Sequence, residues 1–258
     1  MPRMKSIVFR GKRIQVRNIS NLRRHAAKQG GTLTGLSRQG ELDSLNSGEK
    51  LPKTLKLKSK YSSFVDPRAG HSANLQSMGH ERKGGKVYSK LRSRKSLSFD
   101  LSNPKAFDEL MKKFSSPGVD PNITTTKAMR AWINGEVQIP GLPDWKFVAD
   151  EFIVHDLRLA QKVSAKKGRN IQFENLSHAP NADFVFERLT GQPFEIAKGR
   201  FSDLLEGPVF FHAPKGQLIL EYRGKRYDVT EKYNEIVSAY KARKKAEAKK
   251  YREKKEGQ

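Results

Sequence analysis

Apolar and polar positions alternate with a period of two near both ends of the chain and follow a helical period through its middle. From Gln217 to Tyr251 the sequence reads QLILEYRGKRYDVTEKYNEIVSAYKARKKAEAKKY. Leu218, Leu220 and Tyr222 alternate as in a half-buried strand, Arg223-Gly224-Lys225 supplies a turn, and Tyr227 and Val229 continue the alternation. Thr230 is placed to cap a helix with Tyr233, Ile236, Val237 and Tyr240 at helical spacing. Ser6 to Val16 has the same plan, with Ile7 and Phe9 before Arg10-Gly11-Lys12 and Ile14 and Val16 after it. A constant offset of 213 residues aligns the two units. Either an internal duplication or the recurrence of a basic glycine turn accounts for that. Asn18 or Ser20 is then expected to cap a short helix through Leu22, Ala26 and Ala27, ended by Gly30-Gly31.

From Gly31 to Lys95 large apolar residues are few, and Gly, Ser, Lys and Arg dominate. Leu55, Leu57 and Tyr61 alternate with Lys56 and Lys58 as one possible strand. The remainder offers too little apolar surface to offset its ordering entropy. It reads as an arm that orders on nucleic acid or as a disordered solubilising segment. Beyond it, Leu97, Phe99 and Leu101 alternate, Ser102 or Asn103 caps, and Pro104 suits a first helical turn. Phe107, Leu110, Met111 and Phe114 form a helical stripe. Thr126 to Ile133 is a short helix, Pro140 to Pro143 a turn, and Asp144 to Ser164 a long helix with Val148, Phe152, His155, Leu159 and Val163 on one face. Phe184 to Leu189 is either strand or helix, Phe201 to Leu205 a helical turn, and Pro208 to Ala213 a strand. The fold class these elements define is α+β: a small mixed body with β-hairpin–helix units and a long basic, partly disordered N-terminal arm. Three regions are expected, 1–95, 96–206 and 207–258.

Charge changes this picture more than any motif. Lys and Arg number 51 against 27 Asp and Glu, a net of +24, and residues 1–100 alone carry 23 against 6. Such an excess calls for a polyanion, and sequence-nonspecific binding of nucleic acid is the expectation. Candidate phosphate contacts are Arg10, Lys12, Arg13, Arg23, Arg24, Lys83, Lys86, Arg92, Arg94, Lys95, Arg243, Lys244 and Lys245, with Tyr88 and Tyr251 placed to stack on bases. No apolar run reaches the length of a membrane span, so no membrane partner is expected. The start, MPRMKSIVFRGKR, lacks a signal peptide's apolar core and predicts a cytoplasmic protein. Absence of cysteine excludes disulfides, thiolate nucleophiles and cysteine-held zinc. The histidines, 25, 71, 80, 155, 178 and 212, show no metal-ligand spacing and read as surface or core residues, so no metal site is expected. Lys83-Gly84-Gly85-Lys86 lacks the context of a phosphate loop. Glu221 downstream of Asp203 gives a faint nuclease-like acidic pair, with Arg223 where such sites place lysine.

Five of the seven tyrosines lie between Gln217 and Tyr251, so a phenolic nucleophile would sit there. Tyr240, where the apolar face meets the basic tail, is the first candidate and Tyr233 the second. In Ser20-Asn21-Leu22-Arg23-Arg24, Leu51-Pro52-Lys53-Thr54-Leu55 and Lys83-Gly84-Gly85-Lys86-Val87-Tyr88 the sequence resembles the DNA terminal proteins of tectivirus-like phages. The resemblance implies a protein primer. Tyr240 would offer its hydroxyl to a partner DNA polymerase, with Mg²⁺ or Mn²⁺ supplied by that polymerase and no cofactor of its own. The chain would not be an enzyme. It would stay covalently linked to the 5′ end of DNA, at genome ends, in the host cytoplasm or nucleoid and in the virion interior. The alternative is a non-enzymatic architectural binder of DNA or RNA.

Overall fold

Two sheets organise the chain. The computed structural model describes residues 5–16, 18–24, 36–62, 67–88, 91–97, 104–119, 121–164, 171–177, 180–194 and 206–256. Strands β1 (Lys5–Phe9) and β2 (Lys12–Val16) pair antiparallel as a hairpin. Strands β3 (Asn18–Arg24), β4 (Lys56–Ser62), β5 (Arg92–Arg94), β6 (Ile171–Ser177), β7 (Val209–His212), β8 (Leu218–Tyr222) and β9 (Lys225–Asp228) form one seven-stranded sheet in the order β5-β4-β6-β3-β7-β8-β9. The four strands from β5 to β3 run parallel, and β7, β8 and β9 continue antiparallel. The result is a mixed α/β fold with a central mixed sheet. Its strands come from each of the ranges 1–95, 96–206 and 207–258.

Both hairpins form as the alternation predicts, and their turns share a backbone. Arg10 and Gly11 have φ of 48° and 73°, Arg223 and Gly224 φ of 48° and 78°. Two consecutive positive φ values match the twist of the flanking strands, and glycine takes the second without a steric penalty. Arg226 Nη1 donates to the Val8 carbonyl at 2.6 Å, joining one hairpin to the other.

Residues 18–24 are not the expected helix. They form the central strand β3, where Asn18, Ile19, Ser20 and Asn21 are buried and hydrogen-bonded across to β6 and β7. Ala26, Ala27 and Gly30-Gly31 lie outside the described residues. The expected arm, 31–95, is also corrected over its described part. It holds α1 (Arg38–Glu49), β4, α2 (Arg68–Arg82), β5 and a 3₁₀ turn at Lys95–Leu97. The two helices pack through small residues rather than an apolar stripe. A Cβ on Gly48 would stand 2.0 Å from the Gln76 carbonyl oxygen, and one on Gly79 2.1 Å from that of Leu45. Backbone therefore meets backbone, a contact that a count of large apolar side chains misses.

Helices α3 (Pro104–Phe114), α4 (Pro121–Ile133) and α7 (Asn181–Thr190), with the first turns of α8 (Thr230–Glu256), close the main core with β7 and β8. Phe184–Leu189 is thus helical. Leu97 ends the 3₁₀ turn rather than starting a strand, while Phe99, Leu101, Ser102 and Asn103 lie outside the described residues, as do 201–205. Helix 144–164 forms with Asp144 as its cap, accepting from Lys146 N at 2.9 Å, but is split. It comprises α5 (Trp145–Phe152), a π-helical turn at Ile153–Leu157 and α6 (Arg158–Ser164). The extra residue of the π turn rotates His155 out to solvent and Asp156 into the core, against the expectation that His155 shares the apolar face. Thr230 is the first residue of α8 rather than its cap, its hydroxyl accepting from Leu218 N at 2.9 Å and donating to Asp228 Oδ1 at 2.5 Å, while Asp228 Oδ1 also accepts from Thr230 N at 3.1 Å.

Candidate active site

Strands β3, β4 and β6 are parallel, so their C-terminal ends share one edge of the sheet. Arg24, the last residue of β3, is level with Ser177, the last residue of β6, and Tyr61 of β4 is level with Leu176. The connections out of these neighbouring strands leave in opposite directions, from β3 toward β4 and from β6 toward β7. In open α/β sheets the crevice beyond the carboxyl ends at such a switch is where ligands bind. Three basic or imidazole positions follow directly from the strands that end there. His25 succeeds Arg24, His178 succeeds Ser177, and Arg68 opens α2 after β4. His25 and His178 lie outside the described residues. Arg68 is half-buried, and the cap before it, Pro67, makes no side-chain hydrogen bond to the helix N-terminus.

The framework beneath this edge is polar and only partly paired, with Asn21 Oδ1, Gln172 Oε1, Asn175 Oδ1 and Asn181 Oδ1 buried and lacking a hydrogen-bond partner among the described residues. All seven residues of β6 are buried, Gln172, Glu174, Asn175 and Ser177 among them. Glu174 accepts from Asn21 Nδ2 and, at 2.8 Å, from Gln172 Nε2. Asn175 Nδ2 donates to the Asn21 carbonyl at 2.7 Å, and Asn18 Oδ1 accepts from Ile171 N at 2.8 Å. These bonds lock β3 to β6 in a single register, which fixes the two strand ends against each other. Ser177 Oγ and Asn181 Nδ2 both donate to the Leu97 carbonyl, the latter at 2.9 Å, so the end of β6 and the start of α7 are clamped to the 3₁₀ turn.

Two further buried groups are structural. His212 has Nδ1 2.5 Å from Gln161 Oε1, which only accepts, so Nδ1 carries the proton and Nε2 accepts from Ser20 Oγ at 2.8 Å. Burial lowers its pKa to about 3, keeping the ring neutral. Lys60, wholly buried on β4, pairs with Asp156 of the π turn at 2.5 Å, and Ser96 Oγ donates to the other Asp156 oxygen. Burial holds the Lys60 pKa below the usual lysine range despite the neighbouring Asp156.

The residues singled out from sequence do not converge on one place. Tyr233 is buried in the core, and burial pushes its hydroxyl up to about 12. Tyr240 is half-buried. Its oxygen lies 3.0 Å from His155 Nε2 and 3.3 Å from Glu151 Oε1, and burial with the Glu151 charge raises its pKa. Arg10, Lys12 and Arg13 are exposed on the first hairpin. Arg23 and Arg24 end β3 at the carboxyl edge of the parallel strands. Lys83 lies 3.5 Å from Glu49, Lys86 is exposed, Arg92 and Arg94 lie on the edge strand β5, and Lys95 opens the 3₁₀ turn after it. Arg243, Lys244 and Lys245 are exposed on α8. In the nuclease-like pair, Glu221 is 2.5 Å from Arg226, Arg223 is 3.2 Å from Glu206, and Asp203 lies outside the described residues. No cluster of metal-ligating side chains occurs among the described residues.

Comparison with solved structures assigns the fold. Mycobacterial hydrolase 1 aligns over 82% of this chain and 100% of its own, at 15% identity and a TM-score of 0.51. A mycobacterial glucosyl-3-phosphoglycerate phosphatase, in complex with inorganic phosphate, aligns over 81% and 97%, at 15% identity and a TM-score of 0.50. A phosphoglycerate mutase from Bacillus anthracis aligns over 85% and 95%, at 17% identity and a TM-score of 0.45. No family model and no curated protein matches the sequence. The chain shares the fold of the first two. This overturns the expectation of a DNA terminal protein, whether as non-catalytic primer, replication factor or virion component, and gives the architectural alternative no support. His25, His178 and Arg68 are not among the site residues expected from sequence: metal-ligand spacing does not single them out, whereas a histidine directly after each of two paired parallel strands does.

Proposed function

We propose that this chain is a phosphatase that works through a phosphohistidine, with His25 as nucleophile and Arg24, Arg68 and His178 as the groups that hold the phosphoryl oxygens. The observation that carries this reading is the parallel register that sets Arg24 level with Ser177, each followed in sequence by a histidine. Paired Cα atoms of adjacent strands are about 4.8 Å apart, so the described ends of β3 and β6 lie side by side.

The chemistry follows from the residue types. A neutral imidazole nitrogen attacks phosphorus, the P–O ester bond breaks, and the leaving oxygen departs with the bonding pair and takes up a proton. Water then breaks the P–N bond, releasing inorganic phosphate and restoring the imidazole. Guanidinium groups offer forked N–H donors that match phosphoryl oxygens and stay charged throughout. Arg68 adds the positive end of the 15-residue helix α2. The likeness in fold to a phosphatase solved with inorganic phosphate supports the same reading.

The direct test is hydrolysis of p-nitrophenyl phosphate by the full chain in the presence of a metal chelator. Turnover that the chelator leaves intact is expected. Turnover that vanishes with chelation, or none at all, contradicts the proposal.

A further inference from the structure

Helix α8 is 27 residues long, about 40 Å, far longer than the body it packs on needs. Its first turns bury Tyr233, Ile236 and Val237, and Tyr240 ends the packed part. The Tyr240 ring meets that of His155 edge-on at 5.6 Å, and its hydroxyl reaches both His155 and Glu151. This contact fastens the helix to the π turn. Every residue from Lys241 to Lys249 is exposed. The helix nonetheless continues to Glu256, about 24 Å beyond Tyr240, with the Arg243 guanidinium over the Phe147 ring at 5.5 Å as a further contact with α5.

That segment reads KARKKAEAKKYREKKE, with nine Lys and Arg against three Glu. Lys241, Lys244, Lys245 and Lys249 fall on one face at helical spacing. Glu247 lies outside that face, 2.9 Å from Lys244 and 3.9 Å from Arg243. We propose that this segment is a nucleic-acid-binding arm that contacts duplex phosphates without reading sequence and tethers the proposed phosphatase to nucleic acid. Charge complementarity favours this occupant. A ladder of lysines along a straight helix faces a regular line of phosphates and gains from counterion release. Stable anchoring to a membrane surface takes a buried apolar face besides charge, and the only apolar residues of the segment are three alanines and Tyr251. A folded protein partner would require buried aromatic or aliphatic anchors, which the lysine face lacks. The net charge of +24 points to the same class of partner.

The test does not depend on catalysis, so its failure is separable from failure of the phosphatase reading. Binding of the full chain to a short labelled DNA duplex is followed by fluorescence anisotropy between about 50 and 200 mM salt. A variant carrying Lys241→Gln, Lys244→Gln, Lys245→Gln and Lys249→Gln should bind at least ~10-fold more weakly at the low-salt end, with the slope of log affinity against log salt shallower by about 3 to 4. Replacing the same four residues by arginine should preserve both quantities. Hydrolysis of p-nitrophenyl phosphate should be equal in all three proteins. The proposal is overturned if the glutamine variant keeps the parent slope and affinity. It is equally overturned if vesicles of mixed phosphatidylserine and phosphatidylcholine bind the chain more tightly than the duplex.

Discussion

His25→Ala is expected to lower kcat/KM for p-nitrophenyl phosphate by at least ~10³-fold, because removing a nucleophile removes the covalent route itself rather than one contribution to it. Arg68→Ala should cost less, about 10²-fold, shared between KM and kcat. A guanidinium that binds the phosphoryl group stabilises both ground and transition states. The substitution at His25 leaves every residue of the amide network that ties β3 to β6 unchanged, so thermal stability should stay at the parent value. Tyr240→Phe removes only the hydroxyl contacts to His155 and Glu151 and should leave turnover unchanged. A Tyr240→Phe enzyme as dead as His25→Ala would move the chemistry to α8 and refute the site assignment.

Asp156→Ala is expected to destabilise the chain by about 3 to 5 kcal/mol, since it strands the Lys60 ammonium in the interior without its partner. Lys60 is completely buried between β6 and the edge strand β5, and Asp156 with Ser96 is its counterpart. Burial already pulls the Lys60 pKa down, and losing the carboxylate removes what opposes that pull. The double change Lys60→Met with Asp156→Leu should recover most of the loss, because a buried pair replaced by apolar groups of similar size is often neutral. Urea unfolding of the three proteins decides the matter. A loss below ~1 kcal/mol for Asp156→Ala would mean that water reaches the pair and that it behaves as a surface contact.

Much of the outer architecture is legible in the sequence, and the centre is not. Both hairpins, α3 and the packed half of α8 carry large apolar residues at strand or helix periods, and they form where that periodicity places them. Central strands β3 and β6 bury Asn18, Ser20, Asn21, Gln172, Glu174 and Asn175 instead. Such residues read as loop or cap until their cross-strand amide bonds are known, because those bonds offset part of the penalty that normally keeps them outside. Helices α1 and α2 hide for a different reason. Their contact is made by Gly48 and Gly79, with Ser59 Oγ and Ser77 Oγ 3.0 Å apart at the join to β4, and it leaves no apolar stripe. Without β3 and β6 as strands, nothing in the sequence places His25 and His178 at strand ends, and the tyrosines crowded into the C-terminal unit are the more conspicuous chemistry. The short matches to terminal proteins at 20–24, 51–55 and 83–88 fall on β3, on the segment leading into β4 and on the loop after α2, and they carry no fold.

Rapid acid-free quenching of the full chain during turnover of ³²P-labelled phosphomonoester, followed by peptide mapping, tests the central claim most directly. An acid-labile, base-stable label on the peptide that contains His25, absent from His25→Ala, is the expected result. Steady turnover with no labelled protein, or a label stable to acid on a tyrosine peptide, would contradict it.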